Sequence, residues 1–315
     1  MGYKAVDFMK DCLIKEYPDV DFRFLGELPL SETDFIQQAR GAEVILSQYQ
    51  PMTAKIYQEL SELKAFCAIG VGYNAANVSL ATQHGVMVTN VPDYCTDEVS
   101  NHTIALLLMC HRGINKLLPW LQAGNWGYTP LQPLKRLNTC TIGFYGFGRI
   151  AQQVATKLAG FGVTLVACDP QIKLNENSAV QAVGLNELIE RSDYISLHAP
   201  LLPENTRIFN KNIFKKMKPT AYLINTARGA LIDANDLLQA LTAGEIAGAA
   251  LDVLEKEPYG NDIEKQIIQL PNVIMTGHTA FYSDDSFAEM TIGAAQEAGR
   301  ILRGEIPLHW VNRTR

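Results

Sequence analysis

"GFYGFGRIAQQVATKLAGFG", residues 143–162, decides how the rest of the chain is read. The run "TIGFYG", which begins at Thr141, reads as a strand, and a helix follows it. Between the two stand Gly146 and Gly148, with Ala151 three residues on, a G-x-G-x-x-A pattern joining strand to helix. The first glycine permits a tight turn, the second lets backbone approach a pyrophosphate, and the small third residue lets helix pack on strand. The helix N-terminus then faces the phosphates. Taken alone, such a loop is also what a turn needing glycine would show, and flavin and S-adenosylmethionine sites use it too. The next strand, "VTLVACDP", ends in Asp169, about 20 residues past the glycines. A carboxylate there accepts hydrogen bonds from both ribose hydroxyls and repels a 2′-phosphate, which selects NAD over NADP.

Outward from that stretch the alternation continues. "TIGFYG", "VTLVACD", "YISLH", "AYLINT", "IAGAALDV" and "NVIMTG" read as six strands with helices between the earlier ones, a doubly wound sheet of two nucleotide-binding halves. Upstream, "YKAVD", "DFRFLG", "EVILSQ", "KAFCAIG" and "VMVTNV" are short β-rich runs, and 31–40, 53–62 and 77–84 have helical spacing. That predicts a second parallel sheet covered on both faces. Pro92 breaks the chain, Thr96 or Asp97 can cap, and a long apolar helix follows. A chain of 315 residues exceeds what one core usually supports. The expectation is therefore an α/β protein of two doubly wound parallel-sheet domains with a cleft between them. The first would hold 1–95 and, through an amphipathic helix near 284–303, 286–315; the second would hold 96–285. Residues 113–138 carry two tryptophans and three prolines without a regular period. They read as an arm on a neighbouring subunit, which predicts a homodimer, or as a loop folded back on its own domain.

Bulk properties exclude several partners. Hydrophobic residues make up 47% and charged residues 19%, and no apolar run approaches the roughly 18 residues of a membrane span. A net charge of -6 offers no basic field for nucleic acid. The six cysteines show no C-x-x-C spacing and several fall in apolar runs, so reduced core thiols and no metal site are expected. The N-terminus lacks the order of a secretory signal, which together with the thiols points to the cytoplasm.

Three strand ends carry the candidate chemistry. In "LINTARGALID", residues 223–233, Arg228 follows a strand at its carboxyl edge. "GAALDVLEKEP" delivers Asp252 and Glu257 after the next strand, and "NVIMTGHTAFYS" delivers His278 after the last. Ligands of doubly wound sheets bind beyond those edges. An Arg fork grips a carboxylate and polarises a neighbouring carbonyl. A His gives a proton to the alkoxide as hydride arrives, and a Glu bonded to the imidazole holds its orientation. Together these fit hydride transfer between NAD and a 2-hydroxy acid. Each has a plainer reading: a structural loop His, a solvated surface acid, an Arg paired with a helix end.

"GFGRIA", "NTARGALID", "DVLEKEP" and "GHTAFYS", in this order, resemble the D-isomer-specific 2-hydroxyacid dehydrogenase family over essentially the whole chain. "TNVPDYCTDEVSNHTIALLL" and "HTAFYSDDS" are most similar to the branch of the C-terminal-binding proteins and their bacterial relatives. The resemblance implies a flavodoxin-like substrate domain and a Rossmann NAD domain. It implies that Arg228 binds the substrate carboxylate and carbonyl, that His278 is the acid/base with Glu257 as partner, and that Asp252 contacts the nicotinamide carboxamide. In "IGVGYN" the N–H groups of Val71 and Gly72 would hold the substrate carboxylate, unless Gly70 and Gly72 serve only the turn. Thr96, Arg149, Ile150, His198, Pro200, Thr226, Ala227 and His278 would line the cofactor with Gly146, Gly148 and Asp169. Three departures from the family pattern are Gly277 where Pro is usual, Asn74 where Asp is frequent, and Phe281 where the C-terminal-binding proteins carry Trp.

The expected function is NAD-dependent hydride exchange with a small D-2-hydroxy or 2-oxo acid such as glyoxylate, hydroxypyruvate or pyruvate. A dinucleotide-sensing regulator like the C-terminal-binding proteins is one alternative, against which the complete Arg-Glu-His set and the lack of a long disordered tail both argue. A 3-phosphoglycerate dehydrogenase is the other. "Ala68-Ile69-Gly70-Val71-Gly72" has no Arg two residues before the first glycine, where such relatives carry one, so a phosphorylated substrate is disfavoured.

Overall fold

In the computed structural model of the chain the described residues are 10–11, 13–25, 29–131, 134–172, 174, 178–258 and 260–313. The chain divides into two compact units, Met1–Cys95 with Tyr282–Arg315, and Thr96–Phe281.

The second unit is built on seven parallel strands: β4 (Thr141–Tyr145), β5 (Thr164–Cys168), β6 (Val180–Ala182), β7 (Tyr194–Leu197), β8 (Tyr222–Asn225), β9 (Gly248–Leu251) and β10 (Val273–Met275). Their order is β10-β9-β8-β7-β4-β5-β6, so the winding reverses at β4. β4 pairs with β5 on one side and β7 on the other, and the crevice beyond its carboxyl end is where a doubly wound sheet takes its ligand. β7 and β9 are buried at every position, which is why "YISL" and "GAAL" are continuously apolar or small instead of alternating. Six of the seven strands are those expected from sequence; β6, at the edge, is additional. With three residues of which two are exposed, it had no apolar signature to read.

Helix α4 (Thr96–Arg112) begins at Thr96, which is thus its first residue and not its cap. It buries Val99, Thr103, Leu106 and Cys110 along one stripe, and packs on β8, β9 and α6 (Arg149–Leu158). α5 (Ile114–Gln122) follows it, although no regular element was expected over 113–138. Pro119 lies inside this helix and masks the apolar spacing of Ile114, Leu117, Leu118 and Leu121. None of the α5 residues is buried, and Trp126 and Tyr128 beyond it are 90% and 82% exposed.

The first unit contains the parallel sheet β1-β2-β3, formed by Val44–Ser47, Ala65–Ala68 and Met87–Thr89. Helices α1 (Glu32–Ala39), α2 (Ala54–Glu59) and α3 (Val78–Gln83) occupy the three expected helical stretches. The expected strand at 3–7 lies outside the described residues. Over 21–25, where a strand was also expected, the chain forms none; the Phe22 and Phe24 rings stack instead, with centroids 6.0 Å apart. α11 (Asp284–Leu302) starts on a Ser283 cap whose hydroxyl accepts from Ser286 N at 2.9 Å, and it packs on β1 and β2. At Gly299 the same helix lies against the Tyr17 ring, where a Cβ would come within 2.3 Å.

Candidate active site

The glycine loop has the geometry a dinucleotide requires. Gly146 sits at φ +84°, and a Cβ on it would lie 2.5 Å from Ala199 N, so the turn and the neighbouring strand's exit both demand glycine. At Gly148 a Cβ would meet nothing within 4 Å. The space in front of the backbone is therefore open at this position. Gly148 is the N-cap of the 10-residue α6 and brings no side-chain oxygen to its first turn, while Ala151 is fully buried against the sheet. Arg149 is exposed and Ile150 half-buried at the same helix start. Asp169 directly follows β5, its Oδ2 accepting from Phe147 N at 2.7 Å and its Oδ1 from Gln171 N at 2.7 Å. The carboxylate thus stands at the glycine loop, fixed by backbone and half-exposed. These residues fit NAD.

His198 and Pro200 follow β7. The His198 ring lies 5.9 Å from that of Phe144, and its Nε2 is 2.8 Å from Ser196 Oγ. Burial pushes its pKa down to about 4, so the imidazole is neutral at pH 7. Pro200 is exposed, and its carbonyl accepts from Asn205 Nδ2 at 2.8 Å.

Arg228 emerges where β8 ends. Asn225, fully buried, shapes this turn: its Oδ1 accepts from Ala227 N at 3.0 Å and its Nδ2 donates to Arg228 O at 2.9 Å. Arg228 Nη1 donates to Ala227 O at 2.6 Å. Thr226 Oγ1 is 3.0 Å from Thr103 Oγ1 on α4. Gly229 lets the turn press on the next loop, since a Cβ there would sit 2.0 Å from Leu254 C and 2.3 Å from Glu255 N.

That neighbouring loop carries Glu257. Its Oε1 accepts from Leu254 N at 2.9 Å and its Oε2 is 2.5 Å from His278 Nδ1. Burial alone would raise the Glu257 pKa; the bonds from His278 and Leu254 N, with the Arg228 charge nearby, outweigh it and hold the carboxyl below its usual range. Glu264, buried, steadies the same loop by accepting from Glu255 N at 2.6 Å and Asn261 N at 2.9 Å.

His278 stands at φ +56°, a conformation that residues with a Cβ rarely adopt. Its ring meets Phe281 edge-on with centroids 6.2 Å apart. The backbone is held by Asp252, only 1% exposed. Asp252 O accepts from His278 N at 2.7 Å, Oδ1 from Thr279 N at 3.0 Å and Thr276 Oγ1 at 2.5 Å, and Oδ2 from Ala280 N at 2.9 Å. Within this unit the structure therefore gathers Arg228, Glu257, His278 and Phe281 through contacts among their loops. Asp252, which the resemblance placed on the cofactor, is engaged here in fixing the His278 loop.

In the first unit, Gly70 is at φ +139° and a Cβ on it would lie 3.2 Å from Gln48 Nε2. Val71 and Gly72 are half-buried, and Val71 O accepts from Asn90 Nδ2 at 2.8 Å.

The supporting residues Asn225, Gly229, Glu264 and Thr276 escaped the sequence reading. Only Gly229 left a signal, a glycine directly after the cation; Asn225 and Glu264 are polar residues bonded to nearby backbone, and Thr276 has its carboxylate partner 24 residues away.

Among the described residues no disulfide forms, burial pushes the Cys67 and Cys110 thiols up to about 12, and no helix is long and apolar enough to cross a membrane. Cys12 lies outside the described residues.

Residues 104–280 match the family described as D-isomer specific 2-hydroxyacid dehydrogenase, NAD binding domain. A glyoxylate reductase of Thermococcus litoralis is 36% identical over 274 residues, covering 83% of this chain and 82% of that protein. A D-3-phosphoglycerate dehydrogenase of Methanocaldococcus jannaschii is 32% identical over 287 residues, 90% of this chain but 54% of that one. The crystal structure of D-lactate dehydrogenase from Aquifex aeolicus, complexed with NAD and lactic acid, shares the fold with a TM-score of 0.87 at 24% identity, over 100% of this chain and 98% of that one. The chain belongs to the D-isomer specific 2-hydroxyacid dehydrogenase family and is an NAD-dependent oxidoreductase of 2-hydroxy acids.

Proposed function

We propose that the protein reduces small unphosphorylated 2-oxo acids to their D-2-hydroxy acids, with His278 as acid/base, Glu257 as its partner and Arg228 as the clamp on substrate. The observation that carries this reading is the 2.5 Å pair of Glu257 Oε2 and His278 Nδ1. With Nδ1–H committed to the carboxylate, Nε2 is the atom that gives a proton to the carbonyl oxygen as it becomes a hydroxyl. Glu257, held ionised, accepts from His278 Nδ1 and fixes the ring plane. Arg228 holds the substrate carboxylate and polarises the adjacent carbonyl through its planar fork. NADH supplies the hydride when bound.

Gly146, Gly148, Arg149, Ile150, Asp169, His198, Pro200, Thr226, Ala227 and Thr96 are the proposed cofactor set, with Asp169 turning the site away from a 2′-phosphate. Val71 and Gly72 are proposed to give their N–H groups to the substrate carboxylate. Residues 68–72, "AIGVG", bring no cation for a second anionic group, which favours glyoxylate, hydroxypyruvate or pyruvate over 3-phosphohydroxypyruvate. The exposed apolar face of α5 supports a homodimer, and the buried thiols support a cytoplasmic setting.

The test is steady-state NADH oxidation against these four acids in wild type and His278→Ala. Wild type is expected to give its highest kcat/KM on an unphosphorylated acid. The variant is expected to lose roughly 10²–10⁴-fold in kcat with NADH affinity nearly kept. A preference for the phosphorylated acid would overturn the substrate class, and a variant kcat within about twofold of wild type would overturn the acid/base assignment.

A further inference from the structure

His102, on α4, is 24% exposed, and its Nε2 lies 3.0 Å from Thr276 Oγ1 and 3.7 Å from Asp252 Oδ1. Thr276 has one hydroxyl proton and two candidate acceptors besides the imidazole: Asp252 Oδ1 at 2.5 Å and Leu251 O at 3.5 Å. The carboxylate is both nearer and the stronger acceptor, so the proton goes to Asp252. Thr276 Oγ1 then meets His102 as an acceptor, and Nε2 must carry a hydrogen. The direction of the chain is fixed: His102 Nε2–H to Thr276 Oγ1, and Thr276 Oγ1–H to Asp252 Oδ1.

Asp252 passes that order to the catalytic loop. Its two carboxylate oxygens accept from Thr279 N and Ala280 N, and its carbonyl accepts from His278 N, so three bonds bracket a residue in a left-handed conformation. Such a conformation persists where the surroundings over-determine it. A Thr276 hydroxyl free to rotate would release one of the bonds that orient the carboxylate. The donor on His102 removes that freedom.

We infer that His102 is a positioning residue for proton transfer at His278, acting through Thr276 and Asp252 and not on the reacting atoms. The inference rests on the assignment of His278 as acid/base. It requires a side-chain N–H at position 102 and asks nothing of the imidazole's titration.

The experiment compares His102→Leu, which removes the donor, with His102→Gln, which keeps an N–H, alongside Thr276→Val, the His102→Leu/Thr276→Val double variant and His278→Ala. The readouts are kcat and KM on the best 2-oxo acid, NADH affinity by fluorescence, and amide hydrogen exchange over 276–280 in the free protein. His102→Leu is expected to lower kcat about tenfold, as loss of one networked hydrogen bond does, with NADH affinity within about twofold and faster exchange at Thr279 and Ala280. His102→Gln is expected to stay within about threefold of wild type, and the double variant to be no worse than Thr276→Val, since both remove the same chain. Equal kcat for the Gln and Leu variants, unchanged exchange in the Leu variant, or additive losses in the double variant would each overturn the role of His102. An active His278→Ala would instead remove the acid/base assignment, and the exchange data would still decide whether His102 sets the loop.

Discussion

Arg228 is held at a strand end by its neighbours more than by itself. Asn225 ties the turn from within, and Gly229 lets it lie against the backbone of Leu254 and Glu255, the loop that carries Glu257. The two charged members of the site are therefore spaced by a backbone-to-backbone contact that tolerates no side chain. Gly229→Ala is expected to cost about 1–3 kcal/mol of stability in urea unfolding, because the atoms a Cβ meets are main chain and cannot turn aside. The same variant should lose kcat, as the contact that sets the Arg228–Glu257 spacing is forced open; unchanged unfolding and kcat would show that the loops separate freely. At this scale the sequence was informative about the charged residues, since Arg228, Glu257 and His278 follow successive strands. It was silent on what holds them. Asp252 illustrates the difference: its position after β9 was legible, but its bonds to Thr276, Thr279 and Ala280 depend on β10 ending beside it.

Among the elements, the starts of the central strands share one buried acid. Asp193 precedes β7; its Oδ1 accepts from Lys135 at 2.9 Å and lies 3.2 Å from Lys218 Nζ, while its Oδ2 accepts from Thr141 N, the first residue of β4, at 2.9 Å. Its carbonyl accepts from Tyr222 N, where β8 begins. Burial would raise its pKa, but the Lys135, Thr141 and Lys218 bonds together hold it below the usual range. A depressed folded pKa contributes stability above the unfolded value of about 3.9, and that stability is lost as pH falls through the folded value. Asp193→Ala is expected to cost about 2 kcal/mol near pH 7, discounted for the half-exposed lysines. The difference from wild type should shrink below about pH 3.9, which urea unfolding at both pH values would measure. Element types were legible wherever a strand was buried on both faces or a helix had a clear stripe. They were lost where a single residue broke the pattern, as Pro119 does in α5, or where the strand was too short to show one, as in β6.

For the molecule as a whole, the doubly wound class followed from one glycine loop and the alternation around it, because a parallel sheet leaves few ways to connect its strands. Because β4, β7 and β8 run parallel, the glycine loop after β4 and the Arg228 turn after β8 leave the same edge of one sheet. The proposed homodimer belongs to this scale too. α5 presents Ile114, Leu118 and Leu121 to solvent at helical spacing, with Trp126 beyond it, and exposed apolar residues grouped in this way suit an interaction surface. Leu118→Glu with Leu121→Glu is expected to shift the protein from dimer to monomer at micromolar concentration in sedimentation velocity; a wild type already monomeric there would refute the dimer.

The two strands at the margins of the seven-stranded sheet, β10 and β6, have three residues each. A sheet margin is a row of unsatisfied main-chain donors and acceptors that another polypeptide can extend into a growing stack. Here that row is too brief on either side to template such growth. The seven-stranded apolar sheet thus offers little main chain to template fibrous growth, and lengthening either margin is expected to weaken that protection.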